Sequence, residues 1–517
     1  MFSPKTRTLA AVSVAFLALF ASLLACVRSQ PGDSTGSPVP VSTVGPPPTP
    51  TVTSRSTDSY SIPPARLPGA PILTPTPDSP HFQPGQPRGA ETYVVQPGDT
   101  LGAIALRFNI GVRALQQANH ISNPDSLSVG TTLTIPAVTP QAAGPGFKIL
   151  PDSELVYGPM SIRLDVRAIV QGRHGYLSTY IQDVNGETLG GDQIVLRVAQ
   201  DYSVNPALLL AVLEYRSAWL TNSNPNPALL ETPFGFNDGF HVGLYRQLVW
   251  AANALNMGFY RWRAGAVTSW LLSDGSVVPV DPTINAGTAG VQYFFAQLDD
   301  YSAWLRDVSP GGFFDTFTVL FGYPFDLAIE PLVPANLVQP PMHLPFAAGG
   351  AWSFTGGPHG AWDEGSAWGA LDFAPPLETP GCVESNSWVT AVADGLIVRT
   401  GIGEVIQDLD GDGYEQTGWD VLYMHVENRD RVQAGTYLLA GQRIGHPSCE
   451  GGIATGTHVH LARKFNGVWI SADGPVPFIL DGWISSGTGE EYVGALKRDG
   501  LTVTAYDGKV PTNQIQR

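Results

Sequence analysis

Ala454-Thr455-Gly456-Thr457-His458-Val459-His460-Leu461-Ala462-Arg463-Lys464-Phe465 is the stretch on which the reading of this chain turns. A glycine-rich turn leads into a run that reads as a strand. The period of two along a strand puts His458 and His460 on one face, about 6 to 7 Å apart, so both imidazoles can reach one cavity. Six of the ten histidines, His343, His359, His425, His446, His458 and His460, fall within about a quarter of the length. Histidines that served packing alone would be scattered.

A catalytic zinc takes three protein ligands and keeps a fourth position for water. Two histidines and one aspartate would suffice, and His359, Asp372, His425, His458 and His460 together leave two imidazoles over. Around them stand Gly357-Pro358-His359, Ala370-Leu371-Asp372-Phe373, Leu422-Tyr423-Met424-His425 and a Val432 to Gly445 run of the form Val-x-x-Gly-x-x-x-x-x-Gly-x-x-Ile-Gly. From Met342 to Asp481 these words resemble the lysostaphin-type and beta-lytic (staphylolysin-like) zinc endopeptidases, which cut peptide bridges in bacterial cell walls. The resemblance implies an all-β, antiparallel peptidase domain with His460 as a zinc ligand and His425 and His458 as catalytic histidines. The lysostaphin-like branch has a histidine four residues before the aspartate, where this chain has Trp368. The Gly-Pro-His segment of the beta-lytic branch instead implies His359 and Asp372 as the other two ligands, with His343 the alternative to His359.

In that reading the two catalytic histidines donate to a tetrahedral oxyanion or move protons, since imidazole titrates near neutrality. Tyr492 is either a further oxyanion donor or a packed aromatic. His446 has no role in the pattern and reads as structural. Asp408-Leu409-Asp410-Gly411-Asp412-Gly413 begins like a calcium loop, with carboxylates at alternate positions and a glycine at the sharp turn. Its twelfth position is Trp419 rather than a bidentate glutamate, which favours an acidic hairpin turn. Asp420, one place later, leaves calcium open.

Lys5 and Arg7 precede an apolar run from Leu9 to Leu24 that ends in Leu23-Leu24-Ala25-Cys26. This resembles a lipoprotein signal (1–25), which implies a lipid anchor on Cys26. An uncleaved anchor or an ordinary secretory signal are the alternatives, and all three export the protein. The remaining Cys382 and Cys449 are then candidates for one disulfide, with free thiols as zinc ligands the alternative. A formal net charge of −17 argues against nucleic acid, whose phosphates need a basic surface.

At 517 residues several domains are expected. Residues 26–90 are dominated by Pro, Ser, Thr and Gly and read as a disordered tether. Within 91–137, Tyr93-Val94-Val95-Gln96-Pro97-Gly98-Asp99-Thr100-Leu101, Ile104, Leu115, Asn119 and Leu133 to Pro136 resemble a LysM module. That implies a small α+β fold that binds peptidoglycan or chitin through loops near Gly98 to Leu101 and Asn123 to Ser126.

Residues 148–336 read as a separate, mainly α domain with a clear helix start at Pro206. It resembles the lysozyme-like transglycosylases. Arg216-Ser217 stands where that family has Glu-Ser, and Glu214 lies about 200° around the helix. A catalytically silent glycan-binding or spacing unit is expected. The peptidase domain is placed at 340–485 and a C-terminal extension at 486–517.

The expectation is an exported zinc endopeptidase, cell-wall associated and either membrane-anchored or secreted, acting on peptidoglycan cross-links. A non-catalytic wall-binding activator of other hydrolases is the rival, and a secreted protease on glycine-rich proteins is a third reading.

Overall fold

The computed structural model describes residues 91–517 apart from 109, 122, 124–126, 137–142 and 377–378. The expected signal segment with Cys26, the tether and most of the 123–126 loop lie outside the described residues. Among the described residues no helix is long and apolar enough to cross a membrane.

The first unit is β1 (Glu91–Val94), α1 (Leu101–Phe108), α2 (Val112–Asn119) and β2 (Thr132–Ile135), with the strands antiparallel. It has its own core, centred on Leu101, Ile104, Leu115, Leu133 and Ile135. Thr100 caps α1 by accepting the Ala103 N–H at 3.1 Å. The Asn119 side chain donates to Leu115 O and Thr134 O and accepts the Thr134 N–H at 2.6 Å, which ties α2 to β2.

A helical region follows: α3 (Val166–Arg173), the hairpin β3 (Ile181–Val184) and β4 (Glu187–Gly190), α4 (Gly191–Tyr202), α5 (Pro206–Ser217), α6 (Leu244–Arg263), the hairpin β5 (Ser269–Leu271) and β6 (Val277–Pro279), α7 (Ala286–Ala296), α8 (Tyr301–Asp307) and α9 (Phe313–Phe321). Helix α5 has proline at its first turn and Asn205 accepting the Ala207 N–H at 2.9 Å. It is buried on every side from Pro206 to Leu213, which makes it the central helix. Helices α6 and α7 meet at Gly258 and Gly290. A Cβ on Gly258 would stand 2.5 Å from Ala289 O, and one on Gly290 would stand 2.7 Å from Leu255 O.

The C-terminal half is antiparallel: β7 (Ala351–His359), β8 (Ala370–Ala374), β9 (Val389–Thr390), β10 (Gly395–Thr400), β11 (Val405–Asp408), β12 (Trp419–Met424), β13 (Tyr437–Leu438), β14 (Arg443–Gly445), β15 (Val459–Phe465), β16 (Val468–Trp469), β17 (Ile479–Leu480), β18 (Trp483–Gly487), β19 (Gly494–Arg498), β20 (Leu501–Thr504) and β21 (Gln514–Gln516). Its main sheet runs β13-β10-β11-β12-β15-β8-β7-β21, with β16 paired to β15. Every residue of β12 is buried. Val421 and Tyr423 pack with Phe354, Phe373 and Leu461 on one face of the sheet. Leu422 and Met424, on the other face, belong to one core with Ala462, Trp469 and the helical region.

The structure bears on two of the expected boundaries. Residues 148–336 do not stand apart from the sheet, whose second face the helices cover. Tyr260 OH accepts the Trp469 N–H at 3.0 Å, and Ser203 Oγ donates to Gly467 O at 2.7 Å. A buried ion cluster crosses the same seam: Arg399 Nη1 meets Asp201 of α4 at 3.0 Å and Glu404 at 2.6 Å, while its Nε meets Glu415 at 3.0 Å. Nor is 486–517 an appendage. Strand β18 crosses residue 485, and β21 pairs with β7 through Ile515 opposite Trp352. Alternation shows which side of a strand is apolar, but not which element covers it.

The helical region and the sheet are therefore expected to unfold in a single calorimetric transition. Trp469→Ala should lower their shared stability by about 3–5 kcal/mol, read as a shifted urea midpoint. Two separated transitions for the two regions would contradict the shared core.

Candidate metal centre

Strand β15 sets the centre. His460 lies opposite Asp372 of β8 and Met424 of β12, and His458 precedes the strand by one residue on the same side. Asp372 in turn faces Gly356 of β7, where a Cβ would run into the Asp372 carboxylate. Two register shifts between Phe354 and His359 bend β7 and re-aim His359. His425 follows β12 in the left-handed region, at φ 64°, an uncommon conformation for a residue with a side chain. Its ring centroid stands 4.4 Å from that of His458 and 6.2 Å from that of His460.

The donor atoms converge. His359 Nε2 and His460 Nδ1 are 3.0 Å apart, and each is 3.4 Å from Asp372 Oδ1. His458 Nε2 is 3.7 Å from the same oxygen. The far nitrogen of every ring is held by a backbone carbonyl: His359 Nδ1 by Gly357 O at 2.8 Å, His460 Nε2 by Ala361 O at 3.0 Å, His458 Nδ1 by Gly456 O at 2.7 Å and His425 Nδ1 by Glu450 O at 3.1 Å. A carbonyl only accepts, so in each neutral ring the proton sits on the far nitrogen. The lone pairs of His359, His458 and His460 then face Asp372.

Asp372 Oδ1 is buried and receives no hydrogen bond. A buried carboxylate oxygen among imidazole lone pairs is costly unless a cation joins them. The His359, Asp372 and His460 donors lie within 4.8 Å of one another and fit a metal. The carbonyls that fix the far nitrogens supply the outer support that metal-bound imidazoles require.

The electrostatics agree. Burial acts to raise Asp372, yet His359 and His458 hold it well below the usual carboxylate range. Burial acts to depress His359, and the charge of Asp372 is the largest of the influences that outweigh it, leaving His359 raised. His460 is lowered, chiefly by burial. His425 is pushed down to about 3, first by burial and then by His458 and His460, so it is neutral across the physiological range.

The turn that delivers His458 is anchored from below. Cys382 and Cys449 form a disulfide spanning 67 residues, a closure worth about 4 kcal/mol in the chain-entropy model. Beside it the Thr457 N–H donates to Gly381 O at 3.0 Å, and Thr457 Oγ1 accepts the Val383 N–H at 2.9 Å. Glu450, whose carbonyl orients His425, is the next residue after Cys449.

The other singled-out residues fall elsewhere. His343 is bound through Nδ1 to Asp481 at 2.5 Å and takes no part in the cluster. The His446 ring packs at a tilt on Trp388, with centroids 3.9 Å apart, and its Nδ1–H donates to Ser387 O at 2.7 Å, so it serves packing. The Tyr492 ring stacks on His359 at 4.2 Å and is half exposed, which places it on the wall of the centre. Arg216 is occupied by Asp299 at 2.9 Å, and Glu214 accepts the Leu220 and Thr221 N–H groups. Asp408, Asp410 and Asp412 form a second carboxylate group at the opposite end of β12 from His425. The four orienting carbonyls were invisible in the sequence, because any residue type supplies one.

Residues 93–136 match the LysM domain model, and residues 148–334 match the model for the LasA N-terminal domain. Protease LasA of Pseudomonas aeruginosa is 27% identical over 298 residues, covering 53% of this chain and 66% of LasA. That coverage extends beyond the 148–334 segment. The chain thus spans just under two thirds of the length of that relative. The amidase XlyA of Bacillus subtilis is 45% identical over 65 residues, 12% of this chain and 21% of XlyA. Among solved structures, the deep-sea M23 metalloprotease pseudoalterin aligns at 24% identity and a TM-score of 0.27, covering 33% of this chain and 97% of pseudoalterin. The sequence matches support a chain in which a LysM domain is joined to a region similar to protease LasA.

His359→Ala is expected to lose bound metal, while His343→Ala keeps it, measured as metal per chain after dialysis. Equal loss in both variants would displace His359 from the centre.

Proposed function

We propose that this chain is an exported zinc endopeptidase that hydrolyses peptide cross-links of bacterial peptidoglycan and is held on its substrate by the LysM module. The observation that carries the reading is the Asp372 oxygen without a hydrogen bond, set among imidazoles whose far nitrogens are all held by carbonyls. His359, Asp372 and His460 are the zinc ligands, a set of two imidazoles and one carboxylate typical of catalytic zinc. Bound there, zinc would supply Lewis-acid polarisation of the scissile carbonyl and activation of a water.

The chain's own part falls to His425 and His458. Both carry the proton on Nδ1, held by a carbonyl, so Nε2 is free to accept one. His458 is the general base for the attacking water and, once protonated, a donor to the developing oxyanion, while His425, held down to about 3, stays neutral beside it. Carbonyl-fixed rings need no reorientation between those two states. Tyr492 holds the His359 ring from the outside.

The LysM unit supplies glycan binding. The helical region, read as lysozyme-like and silent because Arg216 stands where that family has its acid and Glu214 lies elsewhere on the helix, serves as a glycan-binding or spacing unit. Export and a lipid anchor on Cys26 complete the proposal, with a membrane-anchored or secreted, cell-wall location.

The reading is tested by incubating the purified chain with peptidoglycan and measuring new amino groups, with and without a chelator. Chelator-sensitive release is expected. His425→Ala and His458→Ala should each lower the rate by about a hundred- to ten-thousand-fold while retaining metal. Full metal occupancy without amino-group release would reject the peptidase reading.

Removing residues 91–137 is expected to raise the half-saturating concentration of peptidoglycan several-fold and to leave cleavage of a short soluble peptide unchanged. An unchanged peptidoglycan profile would remove the LysM unit from substrate binding.

A further inference from the structure

At the end of β12 remote from His425, a second group of carboxylates stands on the hairpin that joins β11 to β12. Asp408, Asp410 and Asp412 offer oxygens within 4.8 Å of one another. An acidic turn alone would not imply a ligand, since exposed carboxylates are readily solvated. Asp420 changes the balance.

Asp420 lies directly opposite Asp408 in the antiparallel register, so the two side chains share a face with their Cβ atoms about 5 Å apart. It is 0% exposed, and neither of its carboxylate oxygens has a hydrogen-bond partner. Its neighbour across the next strand is Lys464, whose ammonium is engaged by Glu415 at 3.2 Å. Arg399, the other nearby cation, is divided among Asp201, Glu404 and Glu415. A fully buried carboxylate with no donor is among the costliest arrangements a protein can hold.

The loop turns its acids toward this point. Gly418, two residues before Asp420, has φ 64°, and a Cβ there would collide with Asp410 Oδ2, so Asp410 lies against the entry of β12. Asp410 is pushed up to about 7 by desolvation and then by Asp408. Asp408 accepts the Asp410, Gly411 and Gly413 N–H groups, and Asp412 accepts the Tyr414 N–H and the Thr417 hydroxyl. Asp408 Oδ1 is filled by two of these donors, but each of the three carboxylates still has a lone pair to give through its other oxygen. The donors are all oxygen and all anionic, the chemistry preferred by hard divalent cations of the calcium class.

We propose that Asp408, Asp410 and Asp412 form a calcium site that locks the β11–β12 hairpin, with the buried carboxylate of Asp420 beside Asp408 as its fourth acid, separate from the histidine centre. In sequence the glutamate of the usual twelfth position is missing. The pleat supplies its replacement from position thirteen, because Asp420 rather than Trp419 shares a face with Asp408.

The test uses the full chain, stripped with a chelator, reloaded with one equivalent of zinc and titrated with calcium chloride in a calorimeter. One further equivalent of calcium is expected to bind. The Tm should rise by about 5 °C at calcium a hundredfold above Kd. Asp410→Asn and Asp420→Asn should each weaken calcium binding more than tenfold. Asp420→Asn should also raise the Tm of the calcium-free protein, because it removes the buried charge, whereas a purely structural aspartate would lower it. His460→Ala should leave the calcium response intact. Absence of a calcium response in the wild-type chain, or an unchanged response in both aspartate variants, would overturn the proposal.

Discussion

The antiparallel register of β8, β15 and β12 is the constraint on which the C-terminal half depends. Met424 opposite His460 and His460 opposite Asp372 fix which side chains share a face. A slip of one residue would turn His458 and His460 into the apolar core beside Val421 and Tyr423 and bring Val459 and Leu461 to the metal donors. The register is held where slippage would cost most: every residue of β12 is buried, and each face has its own apolar layer. Precision at the donors is thus inherited from packing some distance away. The same ribbon carries Asp420 and Lys464 at its other end.

Two kinds of buried charge result, and they differ in kind. The Arg399 cluster is closed within the chain, with one guanidinium serving Asp201, Glu404 and Glu415 across the seam between helices and sheet. Burial of such a group is tolerable because every carboxylate in it meets the guanidinium, although Glu404 Oε2 has no hydrogen bond of its own. Asp372 and Asp420 each leave carboxylate oxygen without a partner. In the readings proposed above, these two are the charges that bound cations would compensate.

Sequence reading reached the parts that depend on residue identity at fixed spacing. The His458-Val459-His460 period, the Gly357-Pro358-His359 word and the LysM pattern around Tyr93 to Leu101 were legible because strands and turns translate spacing directly into position. His343 and His359 could not be separated that way. Only the structure shows that Asp481 takes His343 while the bends of β7 send His359 to Asp372. The carbonyls of Gly357, Ala361, Glu450 and Gly456, which set the tautomers, have no side-chain signature at all. The shared core was equally hidden. Leu422 and Met424 announce an apolar face, but nothing in their identity states that helices from a distant segment cover it.

That shared core bears on how such a chain can be reassembled over evolutionary time. The LysM unit closes its own apolar interior and touches the helical region at the β5–β6 hairpin, where the Val112 N–H donates to Gly275 O at 3.1 Å. The helices and the sheet cannot be traded so freely. A recombination that parted them would uncover Trp469, Leu422 and Met424 on one fragment and the matching helical surfaces on the other, leaving both prone to aggregate. Each of the two segments, with an apolar face that the other covers, therefore depends on its neighbour for its solubility.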